Sequence, residues 1–193
     1  MEYKAILSVV VIILTLFAYV PYIVDIFKNK TKQHSFTWFT VSLTAFVAFA
    51  LQVKGGAGVG AWPMLVIGLI CVTVCLLSLW RGTRDIKAID IFLFVISLVA
   101  LGLWLVIDQP VLSVILITVS EILAFGPTVR KSWNAPYTET LALYEISAVR
   151  HGLAVLAVEQ LNILTALYPA AWALTNVAIT LILLSRRRVI SSQ

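Results

Sequence analysis

Tyr19-Val20-Pro21 and Phe125-Gly126-Pro127 stand 106 residues apart, each near the end of a long apolar run. Trp62-Pro63 and Tyr168-Pro169 repeat that offset, and Pro63 and Pro169 follow Pro21 and Pro127 by the same 42 residues. The matched spacing divides the chain into two equivalent three-helix units with one helix between them. That is the plan of a small membrane carrier built from parallel repeats, related by an axis along the membrane normal. Identity between the halves is otherwise at the level of chance, so the repeat rests on proline spacing and topology.

Composition points the same way. Hydrophobic residues make up 61% of the 193 residues and charged ones 12%, against about 25% charged in soluble domains. An ordinary soluble domain is excluded. The length accommodates about seven spans of roughly 20 residues and no separate catalytic domain. The apolar runs fall at 5–27, 37–53, 61–80, 89–107, 111–130, 138–158 and 162–185, each bounded by polar and turn residues. The first run lacks a basic leader and a small-residue cleavage site, so it is expected to be a retained span. Cys71 and Cys75 lie four apart inside the third run and read as small core residues.

Basic residues set the direction. Lys28, Lys30, Lys32, Arg81, Arg84, Lys87, Arg130, Lys131, Arg186, Arg187 and Arg188 fall on one side, and only Lys4 and Lys54 on the other. This sorting expects the N-terminus outside and the C-terminus cytoplasmic, in an integral protein of the plasma membrane. It also removes nucleic acid as the reason for the net charge of +5. Trp80 and Trp133 are expected at the inner interface, Trp62 and Tyr168 at the outer one.

Arg150 alone among the basic residues lies inside a span. It is joined at mid-depth by Glu121, Glu145, Ser147, His151, Trp172 and Asn176. An ionisable group there costs at least about 2.5–3.5 kcal/mol and therefore faces a partner or a wet cavity. Glu121, Arg150 and Glu145 are the expected buried charge network, with Glu121 meeting Arg150 from the neighbouring span. Tyr144, Ser147 and His151 share one helical face, as do Trp172 and Asn176. Thr40 and Thr44, on one face of the second span with Thr37, complete the expected lining. Trp172 would stack on a solute, Asn176 would hydrogen-bond it, and protonation of His151 would couple its movement to protons. Pro21 and Pro127, inside their spans, are the expected hinges. Pro63 and Pro169 are expected to start their helices.

In topology, the chain resembles the SWEET and PQ-loop transporters over its full length. The local likeness is Pro21-Tyr22 through Lys28-Asn29-Lys30-Thr31-Lys32-Gln33-His34-Ser35, with a second copy at Pro127-Thr128 and Arg130-Lys131. In neither copy does glutamine follow the proline. Asn176 resembles the pocket asparagine of span seven in SWEETs. The resemblance implies alternating access by rocking of two three-helix bundles.

The expected fold is all-α and integral to the membrane, with seven helices arranged 3+1+3. Residues 1–82 form the first repeat, 83–108 the linker helix, and 109–193 the second repeat with a basic tail. The expected function is transport of a small polar solute, sugar-like or zwitterionic. A seven-helix receptor or sorting receptor using the same cavity is the alternative, and a retinal protein would need a lysine that span seven lacks. No nucleophile–base or metal-ligand set accompanies His151, so neither an enzyme nor a metal or cofactor is expected. Partners compatible with this chemistry are lipid, a small solute, protons and further copies of the chain.

Overall fold

The computed structural model describes residues 2–28, 35–81, 88–134, 136–139 and 141–190, and among them the regular structure is entirely helical. The elements are α1 (Glu2–Phe27), α2 (Ser35–Lys54), α3 (Trp62–Arg81), α4 (Ala88–Leu105), α5 (Pro110–Ala124), α6 (Gly126–Asn134), α7 (Leu141–Ala157) and α8 (Ile163–Val189). A short 3-10 turn, Gly58–Ala61, precedes α3. Four segments, Glu2–Val24, Ser35–Lys54, Gly58–Trp80 and Ile163–Val189, are long and apolar enough to cross a membrane. Phe17, Leu76, Leu174 and Leu181 stand exposed on α1, α3 and α8, compatible with contact to lipid tails. The chain thus has the character of an integral membrane protein.

Each apolar run of the sequence falls on one helix, except the fifth, which is split between α5 and α6. The break is at Phe125, whose N–H bonds back to Glu121 O and Ile122 O. Its carbonyl then accepts from Thr128 and Val129 as α6 begins. Pro127 has no N–H to continue the ladder to Leu123 O. At the matching place in the first half, α1 continues through position 21. Of Pro21 and Pro127, the expected hinges, only the backbone is described, and the expected basic loops around Lys30, Lys32, Arg84 and Lys87 lie outside the described residues.

Pro63 lies in the first turn of α3, where its missing N–H costs nothing. Pro169 departs from expectation, because it lies inside α8. That helix starts earlier, at Ile163. Asn162 Oδ1 accepts from Leu164 N–H at 3.0 Å, and Thr165 Oγ1 accepts from Asn162 N–H at 3.0 Å. This reciprocal cap satisfies amide groups that a helix start leaves open, and it outweighs the pull of proline toward the first turn.

Spatial order differs from chain order. Helix α3 packs against both α1 and α2, and α8 packs against both α5 and α7. Across the two sets, α1 meets α7 and α2 meets α5, while α4 lies against α2 and α5. The central packing joins Ala45, Ala48 and Leu51 of α2 to Met64 of α3, Ala100 of α4, Val114 and Ile117 of α5 and Tyr168 of α8. Small residues let these helices approach closely, the usual means of association where lipid removes the hydrophobic drive. Most span hydroxyls turn back onto their own helix, as Thr15 does to Val11 O at 2.8 Å and Thr118 to Val114 O at 2.6 Å. Such bonding satisfies a polar group without a partner helix.

Candidate functional site

A cavity of about 540 Å3 lies between the two helix sets, within the size range of small-molecule sites. Stripes at helical spacing line it. Leu143, Tyr144, Ser147, Arg150 and His151 come from α7; Tyr168, Trp172 and Asn176 come from α8; Thr37, Trp38, Val41 and Ala45 come from α2. Helix α1 adds Ala18, Tyr19 and Tyr22, α5 adds Glu121, and Phe125 closes that side. Five pairs of lining positions are related by the offset of 106: Tyr19 with Phe125, Thr37 with Leu143, Trp38 with Tyr144, Val41 with Ser147, and Ala45 with His151.

Tyr144, His151, Trp172 and Asn176, expected from the sequence to share a cavity, are brought together here. Thr40 and Thr44 are not part of the lining. Both are buried about 100° around α2 from the Thr37–Val41–Ala45 stripe. Their hydroxyls donate to Phe36 O at 3.0 Å and Val41 O at 2.9 Å. Glu145 is also a correction, because it is exposed on the outer face of α7 beside Leu14, Ile146 and Val149. One helical step of about 100° from Tyr144 carries it away from the cavity, so it belongs to no buried charge network.

The direct Glu121–Arg150 ion pair does not form. Helix α8 stands between α5 and α7 and takes the carboxylate for itself. Glu121 Oε2 accepts from Tyr168 OH at 2.5 Å and from Trp172 Nε1 at 3.3 Å, while Oε1 has no partner. Arg150, 6% exposed, donates from Nη1 to Thr15 Oγ1 at 3.3 Å. Its Nη2 lies 3.2 Å from His151 Nε2, and its Nε has no partner. A guanidinium has donors only, so His151 Nε2 is the acceptor there. The imidazole proton then sits on Nδ1, 2.9 Å from Ser147 O, which makes His151 a neutral ring with both nitrogens engaged. A proton can reach Nε2 only after Arg150 leaves it.

Aromatic rings wall this polar centre. His151 and Trp172 stack with centroids 6.1 Å apart and planes 21° apart. Phe125 meets Trp172 edge-on at 5.5 Å, and Tyr22 lies 5.5 Å from Trp38. Tyr144 OH is held by Glu139 Oε2 at 2.6 Å, and Asn176 Nδ2 donates to Trp172 O at 2.7 Å. Tyr168 is not the interfacial anchor expected of it, because it is buried with its hydroxyl on Glu121. Sequence reasoning also misses Tyr19, Tyr22 and Trp38 as wall residues.

At one end of the helices the chain connections are bonded to one another. Glu159 N–H donates to Ala57 O at 3.0 Å and Gln160 N–H to Gly56 O at 3.1 Å, joining the α2–α3 and α7–α8 connections. Asn162 Nδ2 adds a bond to Gly55 O at 2.6 Å. Lys4 Nζ binds Val158 O at 2.7 Å and Glu159 O at 2.9 Å, and Ser8 Oγ binds Val59 O at 2.9 Å. Lys54 pairs with Asp108 at the same end, 2.5 Å apart. Gly56 and Gly58 adopt φ of +79° and +56°, which favours glycine. A Cβ at Gly60 would lie 2.5 Å from Val158 Cα, a backbone atom that cannot swing away. Gly60→Ala should therefore lower stability by about 1–3 kcal/mol, read as a lower melting temperature of the purified protein. Gly102→Ala on α4, where a Cβ meets nothing within 4 Å, should be neutral or raise it. Equal melting of the Gly60 variant and wild type would show that this contact gives way easily.

Comparison with protein-family models, characterised proteins and solved structures found no match to this chain.

Proposed function

We propose that the protein is a membrane transporter moving a small polar solute, sugar-like or zwitterionic, by alternating access. The two moving units would be the three-helix repeats 1–82 and 109–193, with 83–108 as linker. The observation that carries this reading is the cavity, ten of whose twenty lining positions form five pairs at an offset of 106. Helix adjacency supports it, since α3 and α8 hold the same middle place in their sets. A polar contact supports it too. Arg150 bonds Thr15, and Thr44, the repeat mate of Arg150, adjoins Glu121, the repeat mate of Thr15. A parallel repeat around a central solute site is a carrier's architecture. The bonded connections would form the outer gate.

A receptor that recruits a partner through its basic inner face is less well supported. Arg186 already lies over the Trp133 ring at 4.7 Å and bonds Trp133 O, and Arg187 bonds Pro136 O and Glu139 O. The functional test is solute uptake into proteoliposomes from a panel of sugars and amino acids. No uptake of any, with folded protein in the vesicles, would overturn the reading. The direction is tested separately. With Cys71 and Cys75 replaced by alanine, a cysteine at Leu161 should react with an impermeant maleimide only from outside the cell. Cysteines at Asn134 or Ser192 should react only after permeabilisation. Labelling of Leu161 and Asn134 from one side would reverse the assignment.

A further inference from the structure

Arg150 sets a chemical demand that the protein's own groups leave unmet. Its guanidinium is buried on the cavity wall, and among the described residues no carboxylate lies within ion-pair distance. The two groups that hold it, Thr15 and His151, are neutral, and Nε has no partner at all. Three of its five N–H bonds remain uncommitted. A fixed positive charge out of water is costly unless an anion meets it. The one carboxylate among the lining residues, that of Glu121, is held by Tyr168 and Trp172. A neutral sugar would leave the charge as it stands.

We infer that the transported solute carries a carboxylate, which Arg150 receives. Resting on the transporter reading above, this names the solute's class. A guanidinium suits the task because its planar fork offers parallel N–H donors to a planar carboxylate. The stacked rings of His151 and Trp172, 6.1 Å apart, flank the same stretch of α7 and α8 and give the remainder of the solute a flat wall. Glu121, whose Oε1 is buried without a partner, lines the same cavity. It favours a hydroxyl or ammonium on the solute and disfavours a second carboxylate.

The test uses matched solutes that differ in the carboxylate: glucuronate with glucose, lactate with propane-1,2-diol, and phenylalanine with phenylalaninol. Binding is read as a shift in melting temperature of the purified full chain in chloride-free buffer, and movement as uptake into proteoliposomes. The carboxylate-bearing member of at least one pair should bind and cross while the partner lacking the carboxylate does neither. Arg150→Gln should weaken that binding by roughly tenfold or more, and Arg150→Lys should restore part of it, as charge-assisted bonds of about 1.5–3 kcal/mol require. Members lacking the carboxylate moving as well as those that carry it would overturn the inference and leave the transporter reading standing. Chloride alone shifting the melting temperature as far as the acids would also overturn it, because a bare halide would then meet the charge. If no member of any pair binds or crosses, the inference fails, and the wider panel of sugars and amino acids decides the transporter reading separately. The wild-type pairs decide the matter even if Arg150→Gln does not fold.

Discussion

Trp172→Ala should cut solute uptake at least tenfold. The indole contributes twice, since its face stacks on His151 while its Nε1 holds Glu121 Oε2 at 3.3 Å. Alanine removes the wall and one donor to Glu121 Oε2. Truncating a core aromatic also costs about 3–5 kcal/mol of stability, so uptake must be normalised to the folded fraction. Trp172→Phe separates the two roles. It keeps a ring against His151 and loses one hydrogen bond of about 1 kcal/mol, so uptake should fall only severalfold with melting nearly unchanged. Full uptake by a folded alanine variant would remove Trp172 from the site while leaving the helix arrangement intact.

The part of this site carried by α7 and α8 is legible without coordinates. Polar groups spaced by three, four and seven residues in apolar runs declare a common face, and Tyr144, His151, Trp172 and Asn176 share the cavity. The α2 wall is less legible, because threonines at 37, 40 and 44 satisfy the same spacing rule. A threonine hydroxyl in a helix has a second option, its own backbone, and Thr40 and Thr44 take it. The misplaced aromatics have a related cause. A tyrosine or tryptophan near a span end reads as an interface anchor, which describes exposed Trp62 and Trp80 but not Tyr168, Trp38 or Tyr22. The missing signal was in the sequence, for the repeat offset places Trp38 on Tyr144 and Tyr19 on Phe125.

The ion pair fails for a topological reason. Charges on consecutive spans invite pairing because consecutive helices are often neighbours. Here the last helix of each set occupies the middle, so α8 intervenes between Glu121 and Arg150 and satisfies the carboxylate itself. Periodicity along one helix does not report which helix lies opposite.

That difference sets the expected behaviour of Arg150→Met. Were Arg150 paired with Glu121, removing it would strand a buried carboxylate and cost about 3–5 kcal/mol. With only neutral partners, its removal strands nothing charged. Thr15 keeps its bond to Val11 O at 2.8 Å, His151 keeps Ser147 O, and His151 Nε2 is left on a cavity that water can enter. Methionine fills much of the same space without a charge to desolvate. The variant should therefore melt within a few degrees of wild type or above it, yet lose uptake of carboxylate-bearing solutes. Combined with Glu121→Gln, the two stability changes should add to within about 0.5 kcal/mol, as for sites that share no partner. A double variant much more stable than the sum of the singles predicts would restore the ion pair and remove the ground for an unmet charge on the cavity wall.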